Sequence, residues 1–125
     1  MMRCLIVDDS LQFLTAARGW LEREGIAVVG VASTVAQALK LAQELHPDVV
    51  LVDIDLGGES GFELASQLQR KAGVNSSRVI LISAYAEEDY AELIAASPAV
   101  GFRPKTALSG QRIRDLVGDG AGQGV

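Results

Sequence analysis

The chain has 125 residues, about half of them apolar and 22% charged, with a net charge of −5. That is one domain's worth of sequence with enough apolar content for a packed core, which excludes a disordered chain. The acidic balance leaves no basic stripe for nucleic acid, and no apolar run approaches the length of a membrane span.

From the N-terminus, Cys4-Leu5-Ile6-Val7 is an apolar strand that stops at Asp8-Asp9-Ser10. The two aspartates interrupt the run too early for a secretory signal. Cys4 is the lone cysteine and reads as a small core residue, so a cytoplasmic location is expected. Ser10 caps a helix in which Leu11, Leu14, Ala17 and Leu21 recur at helical spacing, closed by Gly25. Ile26 to Val31 is a second strand. Ser33 or Thr34 caps a helix carrying Val35, Ala38, Leu39, Ala42 and Leu45 on one face, and His46-Pro47 stops it.

Residues 48–53 are almost purely apolar and read as a strand buried on both faces, ending in Asp53 before a glycine-containing loop. Ser60 or Gly61 opens a third helix with Phe62, Leu64, Ala65 and Leu68, which ends near Gly73. Residues 74–77 form a turn, and Arg78 to Ser83 a fourth strand. A fourth helical stretch over 87–96 contains Tyr90, Leu93 and Ile94 and ends before Ser97-Pro98. Ala99 to Phe102 is a short fifth strand, followed by Lys105 and a last helix over 109–117. Residues 118–125 are glycine-rich and expected to form a flexible tail, which leaves 1–117 as the single domain.

Five strands alternating with five helices imply an α/β fold, a doubly wound parallel sheet covered on both faces. Ligands of such sheets bind at the carboxyl ends of the strands. There the chain places Asp8-Asp9, Asp53 and Ser83, with Lys105 after the fifth strand. Carboxylates gathered that closely raise each other's proton affinity unless a cation offsets them, so the rim calls for a divalent metal as well as the lysine. Oxygen-only ligands favour Mg²⁺ over zinc or copper. His46, the only histidine, stands at the opposite end of the third strand and reads as a helix-terminal surface residue. A metal, a lysine and a hydroxyl around one carboxylate suit phosphoryl transfer, with Asp53 as the nucleophile. The bland reading, an acid that merely caps a loop, suits one strand-end acid better than the whole set.

These residues carry a resemblance. Over about residues 3–117 the chain resembles a response-regulator receiver domain of the CheY-like kind, the phosphoacceptor part of two-component signalling. The matching residues are Asp8-Asp9, Asp53 in VDIDLGGESGFEL, Ser83-Ala84, and Phe102 with Lys105 in GFRPK. The resemblance implies a flavodoxin-like (βα)5 sheet of strand order 2-1-3-4-5. It implies that Asp53 takes a phosphoryl group from a sensor histidine kinase or phosphotransfer protein. Asp9 and Asp53 would bind Mg²⁺ directly, Asp8 largely through water, and the backbone carbonyl of Asp55 would complete the set. Lys105 and the Ser83 hydroxyl would hold phosphate oxygens. On phosphorylation Ser83 would move inward and Phe102 rotate, remodelling the face of helix four, strand five and helix five for a downstream protein. Two copies pairing through that face is a further expectation of the resemblance. The domain would then be a stand-alone switch that phosphorylates and dephosphorylates only itself, not an enzyme with an external substrate.

Several positions depart from the family pattern. Gly57 stands where a proline is usual, so the loop after Asp53 is expected to be looser. Thr106 replaces the proline after the lysine and Pro104 precedes it instead, so a cis peptide there is not expected. Ser83 replaces the family's commoner threonine, and Asp55 and Tyr85 occupy positions that in the family tune phosphate lifetime. Ser97-Pro98-Ala99-Val100 is expected to shorten helix four. Two alternatives remain at this stage. Asp53-Ile54-Asp55 is the D-x-D of a haloacid-dehalogenase-like phosphatase, although that family sets it on its first strand. A pseudo-receiver that binds a partner without phosphorylation is the other. A dinucleotide-binding domain is excluded, because Asp8-Asp9-Ser10 stands where a glycine-rich turn is needed.

Overall fold

A computed structural model describes residues 1–75 and 78–118. Residues 76–77 of the expected turn and 119–125 of the expected tail lie outside the described residues. The main sheet has five parallel strands: Met2–Val7 (β1), Ile26–Ala32 (β2), Val49–Asp53 (β3), Val79–Ser83 (β4) and Gly101–Pro104 (β5). Their order is β2-β1-β3-β4-β5, as the resemblance implies. The helices are Leu11–Arg23 (α1), Val35–Leu45 (α2), Gly61–Ala72 (α3), Ala91–Ala96 (α4) and Gly110–Val117 (α5).

Every residue of β3 and β4 is buried, because helices cover both faces of a parallel sheet. Alternate side chains feed opposite layers. Leu5, Val7, Val50, Val52 and Leu81 pack with Ala38 and Ala42 of α2 and Leu64 and Leu68 of α3. Cys4, Ile6, Leu51, Ile80 and Ile82 pack with Leu14, Ala17 and Leu21 of α1 and Ile113 of α5. Cys4 is fully enclosed, and burial pushes its thiol well up, which makes it an inert core residue. Among the described residues, no helix is long and apolar enough to cross a membrane.

Four helices start on a hydroxyl. Ser10, Thr34, Ser60 and Ser109 each accept the backbone N–H three residues on, which contributes about 1 kcal/mol per cap. Thr34 rather than Ser33 caps α2, since the Ser33 hydroxyl is engaged with Gln37 Oε1. The start of α5 is held by α1 as well. Glu24 accepts the Gly110 N–H, and the Arg114 guanidinium donates to the Glu24 carbonyl at 2.8 Å.

Four local expectations change. The helix over 87–96 divides into a 3-10 turn, Glu87–Tyr90, and the six-residue α4, so it ends before Ser97-Pro98 as expected and is shortened at its N-terminal side instead. The fifth strand runs Gly101–Pro104 instead of 99–102, because its ladder aligns Gly101 with Ile80 and Pro104 with Ser83. Leu11, placed on the apolar stripe of the first helix, is 76% exposed, since the stripe meets the sheet only from Leu14 onward. The loop after Asp53 is not loose. Asp55–Leu56 and Glu59–Ser60 pair as a short antiparallel ribbon, turned by Gly57 (φ 63°) and Gly58 (φ 103°). Positive φ at both central residues is the hairpin geometry that matches strand twist, and the first of them excludes proline. Glu59 also anchors this ribbon by accepting the Val35 N–H at the start of α2, at 3.0 Å.

Candidate functional site

Strand register brings the rim residues together. Val7 pairs with Val52, so Asp8 lies level with Asp53 on the neighbouring strand. Asp53 pairs with Ile82, which sets Ser83 one residue further out. Ser83 pairs with Pro104, so Lys105 begins two residues beyond Asp53 and its long side chain reaches back. Its ammonium lies 2.6 Å from Asp8 Oδ2 and 3.3 Å from Asp53 Oδ2. The same Nζ sits 4.5 Å from the centroid of the Phe13 ring, a contact that shields it from water.

Asp8, Asp9 and Asp53 each offer a carboxylate oxygen within 4.8 Å of the others. Asp8 and Asp53 are buried and Asp9 is exposed, so the cluster opens to solvent on the Asp9 side. Asp8 is fixed at both ends: its N–H donates to the Ala32 carbonyl, and its Oδ1 accepts the Ser10 N–H at 2.8 Å. Asp53 Oδ1 accepts the Asp55 N–H at 3.2 Å. The Asp55 carboxylate is exposed and turned into its own hairpin, where it accepts the Gly57 N–H.

Burial pushes the Asp53 carboxyl up to about 6; the Asp55 N–H and Lys105 pull it down, and the Asp8 carboxylate pushes it up again. Burial alone would lower the Lys105 ammonium, but its pairs with Asp8 and Asp53 outweigh this and hold it above the usual lysine value. One ammonium thus faces a cluster of three acids. The donor set is oxygen only, in a space the Asp9 side can open, and such a cluster can hold a hard divalent cation such as Mg²⁺.

Ser83 is buried, with its Oγ accepting the Tyr85 N–H at 2.9 Å. Phe102 is buried in the layer that also contains Leu81 and Leu64. His46 ends α2 in a left-handed conformation at the start of β3, at the far end of the sheet from Asp53. Among the described residues there is no cis peptide, so the bond after Lys105 is trans. Three contributors were not expected from sequence: Phe13 beneath Lys105, Gly57 beside Asp9, and Gly61, whose N–H donates to the Ile54 carbonyl directly after Asp53. Phe13 falls off the apolar stripe of α1 and carries no motif. The two glycines stand in the quoted VDIDLGGESGFEL run, where Gly57 reads as a replaced proline and Gly61 as a helix start, and neither reading says what a side chain there would meet.

Removing the ammonium tests this balance. Lys105→Ala should cost about 2–4 kcal/mol of stability in chelator at neutral pH, because it strips the counter-ion from two buried carboxylates. Urea unfolding with and without Mg²⁺ measures it, and most of the loss should be recovered by the cation. A variant as stable as the parent in chelator would show that the ammonium does not offset these acids.

The response regulator receiver domain family model matches residues 4–117. The response regulator GacA of Pseudomonas aeruginosa is 33% identical over 108 residues, 86% of this chain and 50% of that protein. The chain spans about half the length of the first curated relatives it matches. Among solved structures, the receiver domain of the putative response regulator NarL from Mycobacterium tuberculosis is 29% identical, with a TM-score of 0.74 over 93% of this chain and 92% of that one. A response regulator from Burkholderia pseudomallei, solved with a phosphorylated aspartic acid, a calcium ion and citrate, is 25% identical, with a TM-score of 0.77 over 97% of this chain and 69% of that one.

Proposed function

The chain belongs to the response regulator receiver domain family of two-component systems, and from that premise we propose that Asp53 is its phosphoacceptor and that Asp8, Asp9 and Asp53, with the Asp55 backbone carbonyl, hold Mg²⁺. The observation that carries this reading is Lys105 Nζ at 3.3 Å from Asp53 Oδ2 and 2.6 Å from Asp8 Oδ2, inside a cluster of three acids. The Burkholderia pseudomallei relative, with its phosphorylated aspartic acid and calcium ion, supports it.

Asp53 Oδ attacks the phosphorus of a phosphohistidine on a kinase or phosphotransfer protein, and the N–P bond breaks as the O–P bond forms. Lys105 follows the charge from the carboxylate onto the phosphoryl oxygens. Its pull, with that of the Asp55 N–H, favours the ionised nucleophile that burial disfavours. Bound Mg²⁺ supplies the charge neutralisation that phosphoryl oxygens gathering beside Asp8 and Asp9 require. The Ser83 hydroxyl leaves the Tyr85 N–H to meet a phosphoryl oxygen, and Phe102 follows. The output is a protein contact on α4, β5 and α5, where Leu93 and Val100 are exposed apolar residues. The chain itself turns over no external substrate, and it works in the cytoplasm beside its kinase.

Incubation with acetyl phosphate plus Mg²⁺, followed by peptide mass spectrometry, tests the assignment. The phosphoryl label should fall on the peptide containing Asp53 and disappear in Asp53→Ala. A label on another aspartate refutes it, and no label at all would favour a receiver that binds its partner unphosphorylated.

A further inference from the structure

Gly57 is where the hairpin and the acid cluster meet. A Cβ built on its backbone would lie 2.8 Å from Asp9 Oδ2, 3.7 Å from Asp9 Cγ and 3.9 Å from Asp9 Cβ. The Asp9 carboxylate therefore occupies the space a side chain at 57 would fill. At Gly58, with the same sign of φ, a Cβ would meet nothing within 4 Å. The backbone demand is shared by both glycines, whereas the steric demand belongs to Gly57 alone. The hairpin cannot give way easily, because its strands pair and Glu59 ties it to the start of α2. Asp9 can, since it is exposed and its carboxylate is the free end of a short side chain.

We infer that Gly57 is a positioning residue for the cation site: the missing side chain lets the Asp9 carboxylate rest against the hairpin within reach of Asp8 and Asp53. The inference depends on the Mg²⁺ reading given above. Any Cβ at 57 swings Asp9 out of the cluster and leaves the fold nearly intact, so the effect falls on cation affinity and not on folding. The departure from the family's proline is then part of how this chain builds its site, because a hairpin with a left-handed first residue presents a bare backbone to Asp9.

The discriminating variant is Gly57→Asn. Asparagine tolerates a left-handed backbone, and Asn-Gly is the pair this hairpin turn favours, so the variant folds. Its Cβ still meets Asp9. Titration calorimetry with Mg²⁺ alone should show affinity lowered about 10- to 100-fold, the range seen when a ligand's supporting group is lost, with a melting temperature in chelator close to the parent's. Gly58→Asn should bind Mg²⁺ like the parent. Equal Mg²⁺ affinity in Gly57→Asn and the parent overturns the role of Gly57 and leaves the metal reading standing. No Mg²⁺ binding by the unsubstituted chain overturns the metal reading, and this inference with it. Equal weakening in both glycine variants assigns the effect to hairpin strain and overturns the role of Gly57 alone.

Discussion

Asp53→Asn should make the metal-free protein more stable at pH 8, by about 2–3 kcal/mol, while abolishing its capacity to take a phosphoryl group. The sign follows from where the proton is held. The Asp53 carboxyl is pushed up to about 6 in the folded chain, whereas in the unfolded chain it titrates near the ordinary value of about 4. The folded state therefore binds its proton more tightly, and the contribution of this carboxyl to stability is fully present below about pH 4. It declines as pH rises from about 4 to 6 and stays reduced above that. Asparagine keeps an oxygen for the Asp55 N–H and removes the charge, so the variant escapes the decline. Its advantage should shrink to nothing on acidification to about pH 4. Mg²⁺, which binds only the folded state, should stabilise the parent strongly and the variant much less. Melting curves in chelator and in Mg²⁺ across this pH range check all three points. Equal melting temperatures at pH 8 in chelator would mean that burial beside Asp8 does not raise the Asp53 carboxyl.

Gly61→Ala should be the most damaging single change near the site. A Cβ there would penetrate the Asp53 carbonyl oxygen and come within 2.7 Å of Ile54 Cα. These are backbone atoms at the end of β3, and no side-chain rotation relieves the overlap. The expected loss is about 3–4 kcal/mol, above the usual range for overpacking because backbone must move. A melting temperature lower by roughly 10–20 °C follows for a domain of this size. The shift would also move Asp53, so the response to Mg²⁺ should fall with stability. A melting temperature within a few degrees of the parent's would show that α3 can slide away from β3 without cost.

Much of this was legible in the sequence, for reasons particular residues make plain. The unbroken apolar runs ending at Val7, Val52 and Ile82 leave only buried parallel strands as a reading, and the polar residue after each then marks the carboxyl edge. The first three hydroxyl caps were readable because Ser10, Thr34 and Ser60 directly precede helical patterns, whereas Ser109 falls inside the range expected for the last helix and turns out to cap it. What was not legible depends on three-dimensional proximity. Nothing in the spacing of Gly57 and Asp9 says that one fills the space left by the other, since they stand 48 positions apart in the chain. A Gly-Gly pair signals a hairpin, but the loss of the family's proline at Gly57 suggested a looser loop, and the local rule prevailed. The fifth strand slipped by two residues because Ala99 and Val100 look as apolar as the strand itself. Only the ladder to β4 decides where pairing starts.

The seclusion of Cys4 has a practical consequence for following the switch. With its only thiol enclosed in the core and held in the unreactive protonated form, the native chain is blind to maleimide reagents. A reporter cysteine introduced at exposed Leu93 or Val100 therefore takes a dye or spin label cleanly. The native sulfur can stay where it is, and the proposed motion of the α4, β5 and α5 face can be tested by following the label as beryllofluoride is added.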